Sequence, residues 1–495
     1  MNKPGSAFSR RDFLVGPAAI GGLAMLGAPS FSLAQAAATA GTSSGTVMDE
    51  LAGLLRGELI TPSHDNYNQA RKVWNGMIDK RPSAIARCAG VSDILNLVKF
   101  ARDKNLAVSV RGGGHNVAGK ALRDGAVTID LGAMQGIRVD PQRKRGRAEG
   151  GVTWGAFDSE TLAMDLVTTG GTVSSTGIAG LTLGGGLGWL MRKHGLSCDN
   201  LVSADLVTAD GKFLTANESE NADLFWAIRG GGGNFGVVTS FEYQLHEVEP
   251  VVGGIAMYPE SSLKDLFHFF RDYTASAADS VTAMAGIAIG PPGSPVEGQH
   301  AGWIAVCHSG PIDDGVRLVQ PIKDFGPPAM DFIGPTSYAA IQTLFEAGSA
   351  PGARNYWRSN FMNEFSDGAI DVILDHSDEL PRPGTLVLVE HMGGAVGRVG
   401  EHATAYSNRG ASYNVSVMGS WGDASQDEKH IAWTRNFGDE LKAFATGGAY
   451  VNYMASDESA DNVRGAYATN FERLVEIKRK YDPDNFFSGN QNIAP

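Results

Sequence analysis

Hydrophobic and polar positions change their spacing repeatedly along this chain. Short apolar runs at Ala84–Cys88, Leu106–Val110 and Ala126–Leu131 predict three strands. Between the first two, apolar residues recur at helical spacing, which predicts a helix capped by Ser92 and ending near Lys104. The early part of the chain therefore mixes strands and helices.

The same spacing predicts further elements. The Asp-Gly turn within Thr208–Phe213 is typical of a β-hairpin. Apolar runs at Thr385–Val389 and Tyr413–Val417 predict strands, and Phe471–Lys480 and Met48–Leu55 predict amphipathic helices. These elements do not form regular βαβ units, so the pattern favours an α+β fold over a lone Rossmann fold.

Three glycine-rich segments interrupt this pattern, at Arg111–Gly119, Gly170–Gly188 and Arg229–Gly236. Glycine supplies 64 of the 495 residues, and it lets a backbone approach a ligand so that its N–H groups can cradle a phosphate. His115 directly follows the three glycines of the first segment, which indicates a nucleotide cofactor tethered or polarised by an imidazole. The alternative is a glycine-rich turn with a surface histidine.

Together, these segments and four further motifs resemble the FAD-linked oxidases of the vanillyl-alcohol oxidase and p-cresol methylhydroxylase superfamily, in particular the berberine-bridge-enzyme-like branch. The resemblance covers about Tyr67 to Pro495. The further motifs are Gly195–Asn200, Leu224–Gly230, Tyr450–Tyr453 and Tyr481–Phe487. The resemblance implies an α+β fold with a two-part FAD-binding domain of the p-cresol methylhydroxylase type and an α/β substrate domain built on an antiparallel sheet.

The expected organisation has five parts. They are a signal peptide at 1–36, a polar leader at 37–65, an FAD-binding domain at 66–249, a substrate domain at 250–464 and a C-terminal segment at 465–495 that returns to the FAD domain. The glycine loops stop near Pro250, where aromatic and methionine residues become more frequent.

The resemblance implies that FAD is held by one covalent 8α-histidyl bond to His115. Related chains with two links carry a cysteine where this chain has Val173, so we expect no second bond at Cys198. The other expected cofactor-binding residues are Arg111, Gly112, Gly113, Gly114, Asn116, Gly119, Gly171, Thr172, Ser174, Ser175, Thr176, Gly177, Ala179, Gly180, Gly185, Asn200, Gly236, Val237, Val238, Asn490 and Gln491.

Three residues are candidates for the reaction itself. The resemblance places Tyr453 over the flavin as catalytic base or orienter, with Tyr450 as a weaker candidate. A tyrosine near pKa 10 needs a cation to lower its pKa, and Arg358 or Lys193 could supply one. Asn414 takes the place of a glutamate or glutamine of some relatives; it cannot accept a proton, but it can orient a substrate hydroxyl.

Charge and the N-terminus limit the possible partners. The net charge of −13 argues against nucleic acid and anionic membrane surfaces. The twin arginines Arg10 and Arg11, the modestly apolar run after them and the small residues at Ala34–Ala36 predict export by the twin-arginine machinery to the periplasm or medium. Prolines and glycines interrupt the run, which disfavours a stable membrane anchor.

The metal and disulfide signals are weak. Three widely spaced cysteines, Cys88, Cys198 and Cys307, do not form a disulfide framework. We assign no metal, because the chain has no Cys-x-x-Cys or His-Glu-x-x-His motif.

The expected function is that of an exported FAD-dependent oxidase. It would remove hydride from a C–H bond next to oxygen or nitrogen in a small alcohol, sugar or cyclic amine, with O₂ as the acceptor and hydrogen peroxide as the product. The alternatives are a dehydrogenase that uses a quinone or protein acceptor, and a flavin-binding protein without turnover. A nicotinamide dehydrogenase is disfavoured because Gly230–Gly236 lacks the strand that precedes a dinucleotide fingerprint.

Overall fold

A computed structural model describes residues 46–381 and 384–495. The expected signal peptide and the first part of the leader, residues 37–45, lie outside the described residues. The last part of the leader contains α1 (Val47–Ala52) and β1 (Glu58–Ile60), and β1 pairs with the strand at Ala84–Arg87. Residues 58–60 are thus part of the first sheet, and the expected boundary of the leader at residue 65 stays a prediction.

The next elements are α2 (Tyr67–Ala70), β2 (Ala84–Arg87), α3 (Val91–Asp103), β3 (Val108–Arg111) and β4 (Val127–Asp130). With β1, these three strands form the first sheet, in the order β1-β2-β4-β3, and β2, β3 and β4 run parallel. The strands and helix predicted here are confirmed, but the cap is not. Helix α3 begins at Val91, and it is the buried Asp93 that accepts backbone N–H groups, from Arg56, Gly57 and Ala89.

The region that follows contains β5 (Ile137–Asp140), β6 (Arg145–Glu149), α4 (Trp154–Leu162), β7 (Leu166–Val167), α5 (Ile178–Leu183), α6 (Met191–His194), β8 (Leu201–Val207), β9 (Phe213–Asn217), α7 (Ala222–Ile228), β10 (Val237–Gln244) and β11 (His246–Glu247). Five of these strands form the second sheet, which is antiparallel and has the order β5-β6-β10-β8-β9. The predicted hairpin joins β8 to β9, and the short strands β7 and β11 pair with each other.

The next region contains β12 (Val251–Pro259), α8 (Leu263–Ala275), β13 (Val281–Ile289), β14 (His300–Ser309), α9 (Ile312–Asp324), β15 (Met330–Asp331), β16 (Gly334–Thr336), α10 (Tyr338–Gln342), β17 (Arg354–Met362), α11 (Asp367–Asp375), β18 (Leu386–His391), α12 (Ala395–Arg398), β19 (Tyr413–Trp421) and α13 (Asp427–Leu441). Its strands form the third sheet, which is antiparallel and has the order β15-β12-β14-β13-β18-β19-β17, with β16 also paired to β12.

The two faces of this third sheet differ because side chains alternate along each strand. On β18, Val387 and Val389 pack into a core that also contains residues of α8, α11 and α13. Leu386, Leu388 and Glu390 occupy the opposite face, and the first two of them line a cavity. The face of the sheet that carries Leu386 and Leu388 is therefore a wall of the cavity.

The C-terminal part returns to the second sheet. It contains α14 (Ala460–Tyr467) and α15 (Phe471–Tyr481), and α15 packs against α7. The ammonium group of Lys478 is fully buried, lies 2.6 Å from Asp482 and donates to the Asn234 carbonyl oxygen at 2.8 Å. This ion pair fixes the final turn of the chain beside the third glycine-rich segment. Among the described residues, no helix has both the length and the apolar character that a membrane span requires.

Candidate active site

A cavity of about 400 Å³ lies between the glycine-rich segments and the third sheet. One side is formed by the first two glycine-rich segments, by Gly232–Asn234 and by the tail residues Asn490 and Gln491. The other side is formed by β13, β14, β17, β18 and β19 and by the segment 344–349. Residues from both halves of the sequence therefore meet at one site.

Two of the glycine-rich segments touch through their backbones. A Cβ atom added to Gly113 would lie 2.6 Å from both the nitrogen and the Cα of Gly177, and one added to Gly177 would lie 2.5 Å from the Gly113 nitrogen. Gly114 adopts a φ of +67°, which favours glycine. Only backbone fits at this contact, as expected of a wall that approaches a phosphate closely.

His115 lies on this wall with its ring stacked on Trp74, at 4.6 Å between centroids. Its Nε2 atom is 3.5 Å from the Ser175 hydroxyl. Burial lowers the pKa of the imidazole to about 4, so the ring is neutral at pH 7 and keeps a lone pair on one nitrogen. This is the state in which an imidazole can form a bond to carbon, so His115 fits the attachment of a flavin.

Lys120 is the one Lys, Arg, Asp or Glu side chain among the described residues that line the cavity. Its pKa is lowered by burial, and no described carboxylate pairs with its ammonium group. Neighbouring Lys80 differs, because it donates to the carbonyl oxygens of Gly119 and Leu122. A half-buried cation without a counter-ion favours the binding of an anionic group, such as the diphosphate of FAD.

Tyr453, Glu390 and Asn414 form a hydrogen-bonded group next to the cavity. The Tyr453 hydroxyl donates to Glu390 Oε1 at 3.4 Å, and the Asn414 amide donates to Glu390 Oε2 at 2.6 Å. Glu390 and Asn414 are directly opposed in the β18–β19 ladder. Burial raises the pKa of Glu390 to about 7, so this carboxyl group can take up and release a proton near neutral pH.

The pKa of Tyr453 is raised well above its ordinary value, first by burial and then by the negative charge of Glu390. The expectation that a cation lowers this pKa is wrong. Arg358 pairs with Glu458 and Asp457, and Lys193 pairs with Glu249. Tyr453 is therefore a poor base by itself, and the nearest proton acceptor is Glu390.

Tyr450 has a supporting position. Its hydroxyl oxygen accepts the N–H groups of Gly186 and Leu187 at 3.0 and 3.3 Å and the Asn452 amide at 2.8 Å. Its ring lies edge-on to Tyr453, at 4.8 Å between centroids. Tyr450 thus holds the end of the second glycine-rich segment beside Tyr453.

The structure brings many of the expected residues to the cavity. Those that line it are Gly112, Gly113, Gly114, His115, Asn116, Thr172, Thr176, Gly177, Ala179, Gly180, Gly236, Val238, Tyr450, Tyr453, Asn490 and Gln491. Those outside its lining are Arg111, Gly119, Gly171, Ser174, Ser175, Gly185, Asn200, Val237 and Asn414.

The expected residues outside the cavity lining contact other parts of the protein. The Asn200 amide donates to the carbonyl oxygens of His194 and Leu196, and its own oxygen lies 2.7 Å from His246 Nε2. Asn200 therefore joins structural segments and has no polar atom left for a cofactor. Arg111 donates to the Ala70 carbonyl oxygen, and Ser174 donates to Glu346.

The remaining members of that group are enclosed by protein. Gly185 packs against the Tyr406 ring, Gly171 against Leu181 and Gly119 against Ile78. Val237 is fully buried in the core of the first sheet. Direct cofactor contact is not supported for these four residues.

Cys198 packs in an apolar cluster with Leu187 and Tyr406 and does not line the cavity. Burial raises the pKa of its thiol, which leaves it protonated and unreactive. Val173, in contrast, lines the cavity. This placement supports a single attachment point. All three cysteines are free and buried.

Sequence reasoning missed Glu390, Lys120 and the aromatic wall that includes Trp74 and Trp357. Glu390 had a detectable signal, because it continues the alternate face of Leu386 and Leu388 in an otherwise apolar strand. A charged residue there must find a partner or a function. Trp74 had no such signal, because only the tertiary fold brings it to His115.

Comparison with known proteins agrees with this geometry. The family model of an FAD binding domain matches residues 82–217, and a model described as berberine and berberine like matches residues 449–494. The chain is 33% identical over 455 residues to (R)-6-hydroxynicotine oxidase of Paenarthrobacter nicotinovorans, covering 89% of this chain and 97% of that protein. It is 30% identical over 453 residues to an FAD-linked oxidoreductase of Dictyostelium discoideum, covering 91% and 97%.

Solved structures show the same fold. The crystal structure of 6-hydroxy-D-nicotine oxidase from Arthrobacter nicotinovorans superposes with a TM-score of 0.80 at 29% identity, covering 89% of this chain and 98% of that one. A carbohydrate oxidase from Microdochium nivale gives a TM-score of 0.82 at 22% identity, covering 91% and 100%, which shows the fold alone.

The glycine-lined cavity and these matches define an FAD-linked oxidoreductase. The expected fold class and the FAD cofactor are confirmed. Within that class, the chain belongs to the berberine-bridge-enzyme-like branch of the vanillyl-alcohol oxidase and p-cresol methylhydroxylase superfamily.

Proposed function

We propose that this protein is an oxidase that removes two hydrogens across a C–O or C–N bond of a small alcohol, sugar or cyclic amine and passes their electrons to O₂. The observation that carries the proposal is the group of Tyr453, Glu390 and Asn414 at the boundary between the cavity and the third sheet.

The cofactor would be held by residues 66–249 and 465–495, and the substrate by residues 250–464. His115 would attach the flavin covalently, and its neutral imidazole supports this role. The closely approaching backbones at Gly113 and Gly177, together with Lys120, would face the diphosphate. When bound, FAD supplies the hydride acceptor and, after reduction, the electrons that convert O₂ to hydrogen peroxide.

The proton path follows from the side chains. Tyr453 accepts the proton of the substrate hydroxyl or amine while its own phenolic proton passes to Glu390. Asn414 donates to the other carboxylate oxygen, which keeps Glu390 oriented toward Tyr453. In this path Tyr453 never has to exist as a free tyrosinate, which is consistent with its raised pKa.

The test is anaerobic mixing of the purified yellow protein with candidate substrates, followed by admission of air. We expect bleaching of the flavin absorbance without oxygen, and rapid recovery with stoichiometric hydrogen peroxide when oxygen enters. Bleaching followed by recovery only with a quinone or a protein acceptor would identify a dehydrogenase. Failure of every substrate class to bleach a flavin that dithionite reduces would favour a flavin-binding protein without turnover.

Export is a separate part of the proposal. Arg10 and Arg11 precede an apolar run, as in signals read by the twin-arginine machinery, which carries folded cargo. Replacing both arginines by lysine should leave folded, flavin-containing protein in the cytoplasm. Normal appearance of the double variant outside the cytoplasm would contradict this route.

A further inference from the structure

We infer that this protein binds one zinc ion outside the cavity, at a site formed by Glu260, His300 and Asp378. The site goes beyond the proposed function, because none of these three residues lines the cavity. One ligand atom from each residue, an imidazole nitrogen of His300 and a carboxylate oxygen of each acid, lies within 4.8 Å of the other two. Among the described residues, this is the one such group of histidine, cysteine or acidic side chains.

The topology of the third sheet brings the three residues to one end of neighbouring strands. Pro259, the residue before Glu260, ends β12, and His300 begins β14, the strand paired with β12. His300 also opposes Ile289, the last residue of β13. Asp378 lies on the connection from α11 to β18, and β18 begins beside this end of β13. The ligands come from segments distant in sequence, which is why the chain shows no metal-binding motif.

His300 directs a buried imidazole to this group. The residue is 8% exposed, and its Nδ1 atom lies 3.4 Å from Glu260 Oε1. Its Nε2 atom is buried and has no hydrogen-bond partner among the described residues. The ring therefore has carboxylate oxygens beside it and no other described hydrogen-bond partner. Imidazole nitrogen and carboxylate oxygen are both ligands that zinc takes in proteins.

The spacing of the ligand atoms suits a zinc ion. Zinc lies about 2.0–2.2 Å from imidazole nitrogen and carboxylate oxygen, so two ligands of a tetrahedral ion are about 3.4 Å apart. The distance between His300 and Glu260 has this value, which is long for a hydrogen bond. The other separations do not exceed 4.8 Å, and they would close by rotation of the exposed side chains of Glu260 and Asp378.

The charges at this site also favour a cation. Glu260 and Asp378 bring two carboxylates within 4.8 Å of each other, and like charges at that distance repel. Among the described residues, no lysine or arginine pairs with either carboxylate. A divalent cation would compensate both charges at once.

The bound ion would have a structural role. It would tie the connection that leads to β18 to the ends of β12 and β14. That connection runs on to Gly384, Leu386 and Leu388, which line the cavity. Because only the folded chain assembles the three ligands, zinc would stabilise the folded third sheet.

Zinc titration of the full-length, flavin-containing protein tests the inference. The protein is treated with EDTA and dialysed, and zinc chloride is then titrated by calorimetry while mass spectrometry counts the bound metal. We expect one zinc ion per chain and an unfolding midpoint that rises when zinc is added. Glu260→Gln, His300→Gln and Asp378→Asn should each weaken binding at least 10-fold and remove the rise.

The chain offers a matched control. Glu440 lies 3.2 Å from His376 Nε2, and among the described residues no third ligand joins this pair. Glu440→Gln should therefore bind zinc as tightly as the wild type. Equal weakening in Glu440→Gln would assign the binding to histidine–carboxylate pairs in general and would overturn the site.

Absence of zinc binding in the wild type, or binding that the ligand variants keep, would also overturn the inference. Both results would leave the proposed oxidase intact, because flavin reduction is measured separately. His300→Gln changes a buried side chain, so circular dichroism and flavin content are its folding controls. If it does not fold, the two exposed acid variants decide the outcome.

Discussion

The hydroxyl of Tyr453 donates to the carboxylate of Glu390. Glu390 is 1% exposed and lies on β18 of the third sheet, far in sequence from the three glycine-rich segments. The two residues are 63 positions apart in sequence. This contact joins a buried carboxyl group to the wall of the cavity, and in the proposed reaction the two residues act as a unit.

Removing either member of this pair should slow flavin reduction. We expect Tyr453→Phe and Glu390→Gln each to reduce the anaerobic rate constant by roughly 10²–10⁴-fold, the usual contribution of a positioned acid or base. The double variant should be little slower than either single variant, because residues that act as a unit are not additive. Stopped-flow absorbance measures all three, with flavin content and thermal stability as controls. A wild-type rate for Glu390→Gln together with a slow Tyr453→Phe would remove Glu390 from the proton path.

The pH dependence should follow Glu390. Its pKa is raised by burial to about 7, so it is protonated at pH 5.5 and ionised at pH 8.5. Only the ionised form accepts a proton, so the rate constant of flavin reduction should rise through about pH 7 and level off above it. If the inflection near pH 7 is also present in Glu390→Gln, it belongs to another group. If the wild-type profile has no inflection, Glu390 does not control the rate constant.

Flavin attachment should depend on His115 and not on Cys198. The flavin of the wild-type protein should stay with the polypeptide after acid precipitation, because a neutral imidazole at the cavity wall can bond to it. His115→Ala should release its flavin in acid. Cys198→Ser is the matched control and should keep both the bond and the spectrum, because Cys198 does not line the cavity. Mass spectrometry of flavin-bearing peptides decides the outcome.

Lys120 should matter for cofactor loading rather than for the reaction. Lys120→Met removes the one charged side chain among the described lining residues. It should lower the ratio of flavin to protein several-fold on purification, whereas Lys120→Arg should restore most of it, because the charge is what an anion requires. Lys212→Met, on an exposed turn, is the control. Full loading of Lys120→Met would show that the diphosphate lies elsewhere.

The contact between glycine backbones predicts a sharp effect on stability. A methyl group at Gly177 would meet Gly113 backbone atoms at 2.5 and 2.7 Å, so Gly177→Ala should lower the free energy of unfolding by about 1–3 kcal/mol, as overpacking does. Gly53→Ala meets only ordinary contacts of 3.5 Å and more and should change it by less than about 0.5 kcal/mol. Denaturant unfolding compares the two in a His115→Ala background, from which the flavin can be removed.

Features that depend on neighbouring residues could be predicted from the sequence alone. The glycine segments, the strand before His115 and the Asp-Gly hairpin depend on neighbouring residues, and the structure has each of them where the pattern predicts it. The site residues that were missed depend on long-range packing. Glu390 acquires its raised pKa only from the burial that the complete sheet creates, and Lys120 is notable only because no carboxylate folds next to it.

Long-range packing also decides the contacts of three other residues that the sequence singled out. Asn200 lies in a motif shared with the family, and its amide group donates to the carbonyl oxygens of His194 and Leu196. Arg358 and Lys193 were candidates to lower the pKa of Tyr453, but each pairs with a carboxylate from a segment distant in sequence.

The buried Lys478–Asp482 pair makes the cofactor side of the cavity depend on residues that do not line it. The Asp482 carboxylate accepts the backbone N–H groups of Phe486 and Phe487, and Asn490 and Gln491, a few residues later, line the cavity. Lys478 holds this segment to the Asn234 carbonyl oxygen of the third glycine-rich segment. Loss of this one ion pair would therefore displace part of the cavity wall while every lining residue is still present in the chain.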